Sequence, residues 1–296
     1  MKKLSLLLFI FSVFSARAQH EILVYGLGGV SDLRYTPALS DVKKSVGFGG
    51  GLGLGYAYSL SPRWKIITGA EYVLFSSTTR AGNLSGTYTM SDPTAGSIAD
   101  YLFEYQHLGY EGTQYATYLQ IPLMLSISTV HRDAYNCGCN EIVPKGNQTG
   151  RWYMAAGVKA GIAHIARNKM LIRHIQTRGT FDEYETFENM PDHGFQTIEK
   201  YTDQSTMNLG LNLALALEMG ARFTLNKTTH LYTSLFADYG LFNIAAANKN
   251  SGQIKQLDNF HNETLNTFLT AINNVDKLNL IGFGVKVKIG FELNKK

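Results

Sequence analysis

The stretch NLGLNLALALEMGARFT, from Asn208 to Thr224, alternates large apolar residues with small, polar or charged ones. Successive side chains of a β-strand point to opposite faces, so this stretch would present one wall of leucine and one small, charged face. Gly and Ala are poor strand formers and rarely favoured on a water-facing strand. A small, charged face suits a crowded interior and a leucine wall suits lipid. This inverted pattern is typical of a transmembrane β-barrel.

The first eighteen residues have the pattern of a secretory signal peptide. Two lysines precede a short apolar run from Leu4 to Phe14, and an Ala-Arg-Ala site ends at Ala18. These are the three parts of such a peptide, and the apolar run is too short to span a bilayer as a helix. We therefore expect residues 1–18 to be cleaved and residues 19–296 to form one outer-membrane β-barrel domain.

Composition and charge narrow the function classes. The whole chain has a net charge of +4, and the expected signal peptide carries three of the positive charges and no acid, which leaves +1. A nearly neutral chain gives no electrostatic reason to expect nucleic acid as a partner. The sequence contains 29 Gly, 17 Tyr and 16 Phe but only 6 Pro. This favours a barrel, because aromatic rings concentrate at the two membrane interfaces.

Eight alternating segments predict an all-β fold, an eight-stranded antiparallel up-and-down transmembrane barrel with long extracellular loops. The alternative, a soluble sandwich or lipocalin-like barrel, would have polar outward faces. The predicted strands are Glu21–Val30, Gly47–Ser59, Trp64–Ser76, Gln114–Ser128, Arg151–Ile165, Asn208–Thr224, His230–Leu241 and Asn279–Leu293.

The connections between these segments alternate in length, as in barrels with short periplasmic turns and long extracellular loops. Short turns occur at Ser61-Pro62-Arg63 and at 225–228, whereas the connection from His131 to Gly150 is too long for a tight periplasmic turn. The expected extracellular loops are Ser31–Val46, Ser77–Thr113, Ala166–Ser205 and Phe242–Lys277.

Three motifs carry a family resemblance. The strand YLQIPLML at Tyr118–Leu125 contains an aromatic-x-x-Ile-Pro-Leu pattern, DYGLFNI at Asp238–Ile244 ends a late strand, and a Gly-alternating strand runs from Leu209 to Gly220. Together they resemble the PorT-like outer-membrane β-barrel family of Bacteroidetes-type bacteria, over essentially the whole mature chain. The named member of that family is associated with protein export across the outer membrane. The resemblance therefore implies a role in a protein secretion machinery.

Pro122 lies within the first of these motifs and has a structural consequence of its own. Proline cannot donate a hydrogen bond to a strand ladder, and a closed barrel has no edge strand to accommodate it. The sequence therefore predicts a bulge or a local bend at this strand.

Nine charged residues fall on the inward face of the predicted strands. An eight-stranded barrel is just wide enough for side chains to fill, and a buried charge is costly unless it is paired. Both signs together predict an ion-paired plug that closes the lumen; a selective pore and a proton path through Glu71, Glu218 and Asp238 are the alternatives. The nine residues are Lys65, Glu71, Lys159, Glu218, Arg222, Asp238, Lys286, Lys288 and Glu292.

Cys137 and Cys139 are the two cysteines of the chain. A disulfide can persist in the periplasm or at the cell surface, and a bridge across a single residue closes a small, strained ring. A strained disulfide, two thiols, and part of a metal site with His131 are the open interpretations.

His164 ends the fifth predicted strand on the lipid-facing side, near the extracellular rim. Some outer-membrane barrels are lipid-modifying hydrolases that use a His and a Ser there. No Ser stands two places after His164, so we expect an interfacial histidine and no catalytic residue. The acidic and aromatic stretch from Phe181 to Tyr201 is a candidate binding loop, because long exposed loops commonly carry function.

The sequence thus predicts a non-enzymatic protein of the bacterial outer membrane with a plugged lumen. We expect it to act in binding or assembly through its extracellular loops, with outer-membrane lipid and other secretion or envelope proteins as partners and with no cofactor or metal. A small-solute channel is the alternative function, and a surface lipid-modifying enzyme is the third.

Overall fold

The computed structural model describes residues 20–35, 42–92, 99–129, 150–181, 185–191, 194–226, 228–245 and 277–293. Among these residues, no helix is long and apolar enough to cross a membrane. The chain instead forms antiparallel strands. They are β1 (His20–Arg34), β2 (Val42–Ser59), β3 (Trp64–Asp92), β4 (Ala99–Ser128), β5 (Arg151–Phe181), β6 (Glu185–Phe187), β7 (Thr197–Thr206), β8 (Asn212–Thr224), β9 (Thr229–Gly240) and β10 (Asn279–Leu293).

Eight of these strands close into a ring in the order β1-β2-β3-β4-β5-β8-β9-β10. The ring closes where β10 pairs with the full length of β1, from His20 opposite Leu293 to Arg34 opposite Asn279. Closure leaves no strand edge unpaired inside the ring, which lets the backbone of a barrel lie in lipid. The predicted eight-stranded antiparallel barrel is confirmed, and β6 and β7 add to it by pairing with the outer part of β5.

The outer surface of the barrel is apolar, as the alternation in β8 predicts. Leu215, Leu217 and Met219 point outward and are about half exposed, at 49%, 59% and 51%, whereas Ala216 and Glu218 between them are buried. The same arrangement recurs in β2, β4 and β10. An apolar outside around a polar inside is the arrangement that a bilayer requires of a transmembrane barrel.

The tight turns at one end of the barrel are stabilised by side chains that bond to the backbone. Asn226 Oδ1 accepts hydrogen bonds from the backbone nitrogens of Thr228 and Thr229, at 3.0 and 2.7 Å. Ser61 Oγ accepts in the same way from the nitrogen of Trp64 at 3.1 Å. Such Asn and Ser contacts favour short turns over loops. His20 and Leu293 lie at this same end, which is therefore the periplasmic one.

Two of the stretches expected to be extracellular loops are largely strands, and in a third, Ser31–Val46, residues 31–34 and 42–46 are strands as well, which corrects the prediction. Within Ser77–Thr113, residues 77–92 and 99–113 form the outer halves of β3 and β4, and most of Ala166–Ser205 forms the outer half of β5 together with β6 and β7. We call this part, residues 77–92, 99–114, 167–181, 185–187 and 197–206, the extension. It projects beyond the lipid, so its outward face is polar, and the apolar alternation that identifies a membrane strand is lost there.

A row of interrupted pairing, here called the crease, crosses the extension at Gly82, Gly109, Arg173 and Lys200. The buried position changes parity there on each strand, for example from Tyr110 to His107 on β4. Gly109 has φ +67°, a conformation that favours glycine. Because the extra residue occurs on all four strands at the same level, the register is the same on both sides of the crease.

No register shift occurs at Pro122, so the predicted bulge is absent there, while the alternative of a local bend stays a prediction. β4 keeps a regular register with β5 there, with Pro122 opposite Lys159. The ladder to β3 simply lacks the pairs that Gly69 and Ala70 would make. The register shift on β4 lies instead at Thr117 and Tyr118, because β5 has an additional residue opposite them.

Several expectations fall outside the described residues. They concern the signal peptide at residues 1–18, the cysteines Cys137 and Cys139, His131 with nearly all of the connection to Gly150, and most of the last loop, 246–276.

Candidate functional site in the barrel lumen

The centre of the lumen contains a chain of alternating charges. Lys159 Nζ lies 2.8 Å from Glu71 Oε2 and 2.8 Å from Asp238 Oδ2. The other oxygen of Glu71, Oε1, lies 3.0 Å from Lys286 Nζ. These four side chains come from β3, β5, β9 and β10, and all are buried. The ion pairs therefore cross the lumen and join four strands of the ring.

Glu218 of β8 continues this chain towards the periplasmic end. Its Oε1 lies 2.5 Å from Lys288 Nζ, and its Oε2 lies 3.6 Å from Lys286 Nζ. Tyr153 and Ser234 also donate hydroxyl hydrogen bonds to Oε1, at 2.5 and 2.9 Å. The carboxylate is thus enclosed by two cations and two hydroxyl groups, which offset the cost of burying it.

A second group of charges fills the periplasmic end of the lumen. Glu21 Oε2 lies 2.8 Å from Lys65 Nζ, and Tyr232 donates a hydrogen bond to Glu21 Oε1 at 2.8 Å. Arg222 Nη2 lies 2.7 Å from Glu292 Oε1. This group is somewhat more exposed than the central one, since it faces the opening of the barrel.

The structure brings all nine predicted lumen residues into these two groups. Five of the nine are cations and four are anions, so the predicted set has an unbalanced positive charge. Glu21, which sequence reasoning missed, supplies the fifth anion. The alternation pattern of β1 did not indicate a polar inward face, because the inward residues that follow Glu21 are apolar or aromatic. They are Leu23, Tyr25 and Leu27.

Glycine on β2 makes room for the aromatic part of this filling. The ring of Tyr25 lies against Gly53, where an added Cβ would come within 2.3 Å of the ring. From this position the Tyr25 hydroxyl donates to Glu71 Oε1 at 3.1 Å, and Lys286 Nζ lies 5.0 Å from the ring centroid. The glycine-rich face of β2 thus accommodates a side chain that reaches from β1 over β2 to Glu71 on β3.

Neutral polar side chains replace the charges towards the extracellular end. Gln114 accepts a hydrogen bond from Ser77 Oγ at 3.1 Å and donates one to Asn168 Oδ1 at 3.1 Å. Gln114 and Asn168 are fully buried. Tyr118 donates to the backbone oxygen of Gly210 at 3.1 Å. The described interior thus has charged side chains towards the periplasmic end and amides and hydroxyl groups towards the extracellular end.

A small cavity remains among the periplasmic charges. It has a volume of about 20 Å³ and is lined in part by Glu21, Lys65, Arg222 and Tyr232. A cavity of this size holds about one water molecule. It is too small for a hydrated ion.

His164 lies on the outer surface at the rim of the barrel. It is the additional residue of the β5 bulge, and its Nδ1 lies 2.8 Å from the hydroxyl oxygen of the exposed Tyr72. Two amphipathic rings at this level are typical of the aromatic belt at a membrane interface. In the part of the chain that the structure describes, no three His, Cys, Asp or Glu side chains are grouped so as to hold a metal ion.

An aromatic cluster forms a second, separate core at the tip of the extension. Phe195 is fully buried, Tyr101 stacks on Phe181 with ring centroids 4.7 Å apart, and Phe103 and Phe187 pack beside them. The predicted acidic and aromatic binding loop is therefore partly folded inward, while its Glu185 and Glu188 stay exposed and Asp182–Tyr184 lie outside the described residues.

Comparison with known proteins finds similar solved structures at low scores and no matching family. No protein-family model and no curated protein matches the chain. Among solved structures, the chain is similar to the outer membrane protein OprG from Pseudomonas aeruginosa, with 15% identity, a TM-score of 0.36, and 94% of this chain and 98% of that chain covered. It is also similar to Ail, the attachment invasion locus protein of Yersinia pestis, with 8% identity, a TM-score of 0.28, and 93% and 98% covered.

A third similar structure is the translocator domain of the autotransporter NalP from Neisseria meningitidis, with 8% identity, a TM-score of 0.23, and 98% of this chain and 96% of that chain covered. At such scores, the strand pairing of this chain establishes the barrel by itself. A closed antiparallel ring with an apolar outer wall makes the protein a bacterial outer-membrane β-barrel.

Proposed function

We propose that the protein acts in binding or assembly through its extension, while its lumen stays closed. The observation that carries this proposal is the set of ten lumen charges, five of each sign, each of which has an oppositely charged partner within 4 Å. A lumen filled and neutralised in this way serves stability better than transport.

Opening a path for solutes would require several of these pairs to separate. Removing one partner of a buried ion pair typically costs about 3–5 kcal/mol, because the other charge remains buried and unpaired. Lys159, Glu71 and Lys286 share partners, so displacing one disturbs the other two. Opening on that scale would cost a large part of the stability of an ordinary domain.

The extension offers the larger surface for a partner. β3, β4 and β5 contain 29, 30 and 31 residues, whereas about 9–11 residues suffice to cross the membrane. More than half of each strand therefore lies outside the hydrocarbon. The aromatic cluster at its tip supports an ordered surface there, and ordered surfaces outside a membrane are suited to recognition.

The resemblance to the PorT-like family supports a narrower proposal, namely that the partner belongs to a protein secretion machinery. A photo-crosslinking residue at the exposed Thr87 of the extension tests this in intact cells, with the lipid-facing Leu217 as the matched control. We expect envelope or secretion proteins to be captured from position 87 and not from position 217. Capture of the same proteins from both positions, or of none from position 87, would contradict the proposal.

The proposal contains no catalytic step. The polar partner of His164 is Tyr72, in the aromatic belt, which supports an interfacial role for both rings. His164→Ala should therefore leave the lipid composition of the outer membrane unchanged. Loss of a lipid modification in that variant would favour the enzyme instead.

A further inference from the structure

A concave notch lies on the outward face of the extension, at the crease. It has a volume of about 630 Å³, and its lining includes Gly82 and Gly109 together with the cations Lys43, Arg80 and Arg173. An added Cβ at Gly82 would meet nothing within 4 Å, so this strand leaves open space there. We call this feature the crease notch. Two glycines without side chains and three cations around them form a site shaped for an anion.

Gly109 sets the position of Arg173. A Cβ on Gly109 would come within 2.8 Å of Arg173 Cδ, so the aliphatic part of this side chain lies across the backbone of β4. The left-handed conformation of Gly109 also disfavours any other residue there. The arginine of β5 thus reaches over β4 and lines the same notch as Arg80 of β3.

The positive charge of the notch is only partly neutralised, by Glu111, which also lines the notch. Lys43 and Arg80 are directly opposite each other on β2 and β3, where like charges repel. Glu111 pairs with Arg80 at 2.9 Å, but this pair is exposed and therefore weak. Within the described part of the chain, neither Lys43 nor Arg173 has an acidic partner. An anion in the notch would relieve the repulsion.

The height of the notch above the membrane limits the kind of anion. Ile165 is the last exposed apolar residue on β5, and Arg173 is eight positions further out. At about 3.3 Å per residue and a strand tilt of about 40°, Arg173 lies roughly 20 Å above that level, whereas Lys43 lies only about 8 Å beyond Val46, the last exposed apolar residue of its own strand β2. The headgroup layer of a phospholipid is only about 5–8 Å thick. A phospholipid headgroup would reach Arg167 and at most the Lys43 edge of the notch, whereas a phosphate that also contacts Arg173 must be carried on a larger headgroup.

Arg167 and Lys169 lie on the same outward face, between the apolar belt and the notch. Positive charge therefore extends along β5 from the apolar belt to the notch. We propose that the crease notch binds a phosphate group on the saccharide headgroup of an outer-leaflet glycolipid, held by Lys43, Arg80 and Arg173. Arginine suits this role because its guanidinium group donates two parallel hydrogen bonds to a phosphate.

Binding of glycolipid to the purified full-length protein tests this proposal. The probes are lipopolysaccharide with a phosphorylated core saccharide and the same material after enzymatic dephosphorylation, and bound lipid is measured by native mass spectrometry. The test variant combines Lys43→Ala with Arg173→Ala. The control is Arg151→Ala, which removes an exposed cation from the periplasmic end of the same strand. A heat-dependent shift in gel mobility verifies that every variant is folded.

We expect the wild-type protein and the Arg151 variant to bind the phosphorylated probe roughly tenfold more tightly than the dephosphorylated one. The double variant should lose this preference. Equal preference in the double variant, or no preference in the wild type, would overturn the proposal.

Competition with inorganic phosphate distinguishes a phosphate group on a glycolipid from free phosphate as the ligand of the notch. Because Arg167, Lys169 and the acyl chains also hold the glycolipid, inorganic phosphate at the concentration of the lipid should leave it bound. Displacement of the lipid at equal concentration would show that free phosphate is the ligand and would overturn the assignment to a glycolipid.

Discussion

Glu21 and Glu292 lie directly opposite each other on β1 and β10, the two strands that close the barrel. Like charges at facing strand positions repel. Here each carboxylate binds a cation from another strand, Glu21 with Lys65 of β3 and Glu292 with Arg222 of β8. The closure between the first and last strands therefore depends on lumen side chains in addition to the backbone ladder.

Replacing Lys65 tests this dependence. Lys65→Met leaves Glu21 buried beside Glu292 without its own cation, and we expect the free energy of unfolding to fall by about 1–3 kcal/mol. Urea unfolding of the barrel in lipid vesicles, followed by tryptophan fluorescence, measures this change. The matched control is Arg178→Ala, which breaks an exposed pair with Glu104 in the extension and should cost at most about 1 kcal/mol. Equal losses in the two variants would contradict the account.

Glu71 is the centre of the buried network, because it pairs with Lys159 and with Lys286. Glu71→Gln leaves both lysines short of an anion, and we expect a loss of about 3–5 kcal/mol in the same urea measurement.

A double variant separates pairing from packing at this position. Glu71→Gln combined with Lys286→Met removes one unpaired cation, so it should be more stable than the sum of the two single changes predicts. Strict additivity would show that the two side chains do not interact.

Gly53 tests whether the lumen is packed as well as neutralised. A Cβ at Gly53 would overlap the Tyr25 ring at 2.3 Å, so Gly53→Ala should destabilise the barrel by about 1–3 kcal/mol. Gly26→Ala is the control, since its Cβ would meet Leu52 at an ordinary 3.7 Å on the outer face. An unchanged urea midpoint for Gly53→Ala would mean that the lumen has free space there.

The sequence predicted the membrane part of the fold well because lipid enforces strict alternation. Leu215, Leu217 and Met219 point outward and Glu218 inward, as the pattern requires. It predicted the extension poorly, because outside the lipid both faces of a strand can be polar. A stretch such as Thr87-Tyr88-Thr89 then lacks the apolar signal although its residues favour strands.

The residues of the candidate sites were likewise predicted only in part from the sequence. The nine predicted lumen charges follow from strand parity alone. Glu21 was missed because its strand has an apolar inward face, and the crease notch was missed because it forms from Gly82, Gly109 and Arg173, residues brought together only by the pairing of three strands.

His107 makes the extension sensitive to acid. It is 3% exposed on the inner face of β4, and burial lowers the pKa of its imidazole from near 6.5 to about 4. The neutral form is favoured in the folded state, so its contribution is complete above pH 6.5. As the pH falls from about 6.5 to 4, the unfolded chain takes up the proton first, and about 3 kcal/mol is lost.

Limited proteolysis of the extension between pH 7 and pH 5 measures this effect, in a range where few carboxylates titrate. Cleavage should increase as the pH falls in the wild type, and His107→Leu should remove most of the change. The same pH dependence in both proteins would assign it to other groups.

The closed lumen is tested most directly by electrical recording of the purified protein in a planar lipid bilayer. Because ten charges pair across the lumen and a cavity of about 20 Å³ holds only about one water molecule, we predict a baseline without discrete openings. Discrete, reproducible channel openings from the wild-type protein would contradict the closed lumen and would establish the small-solute channel in its place.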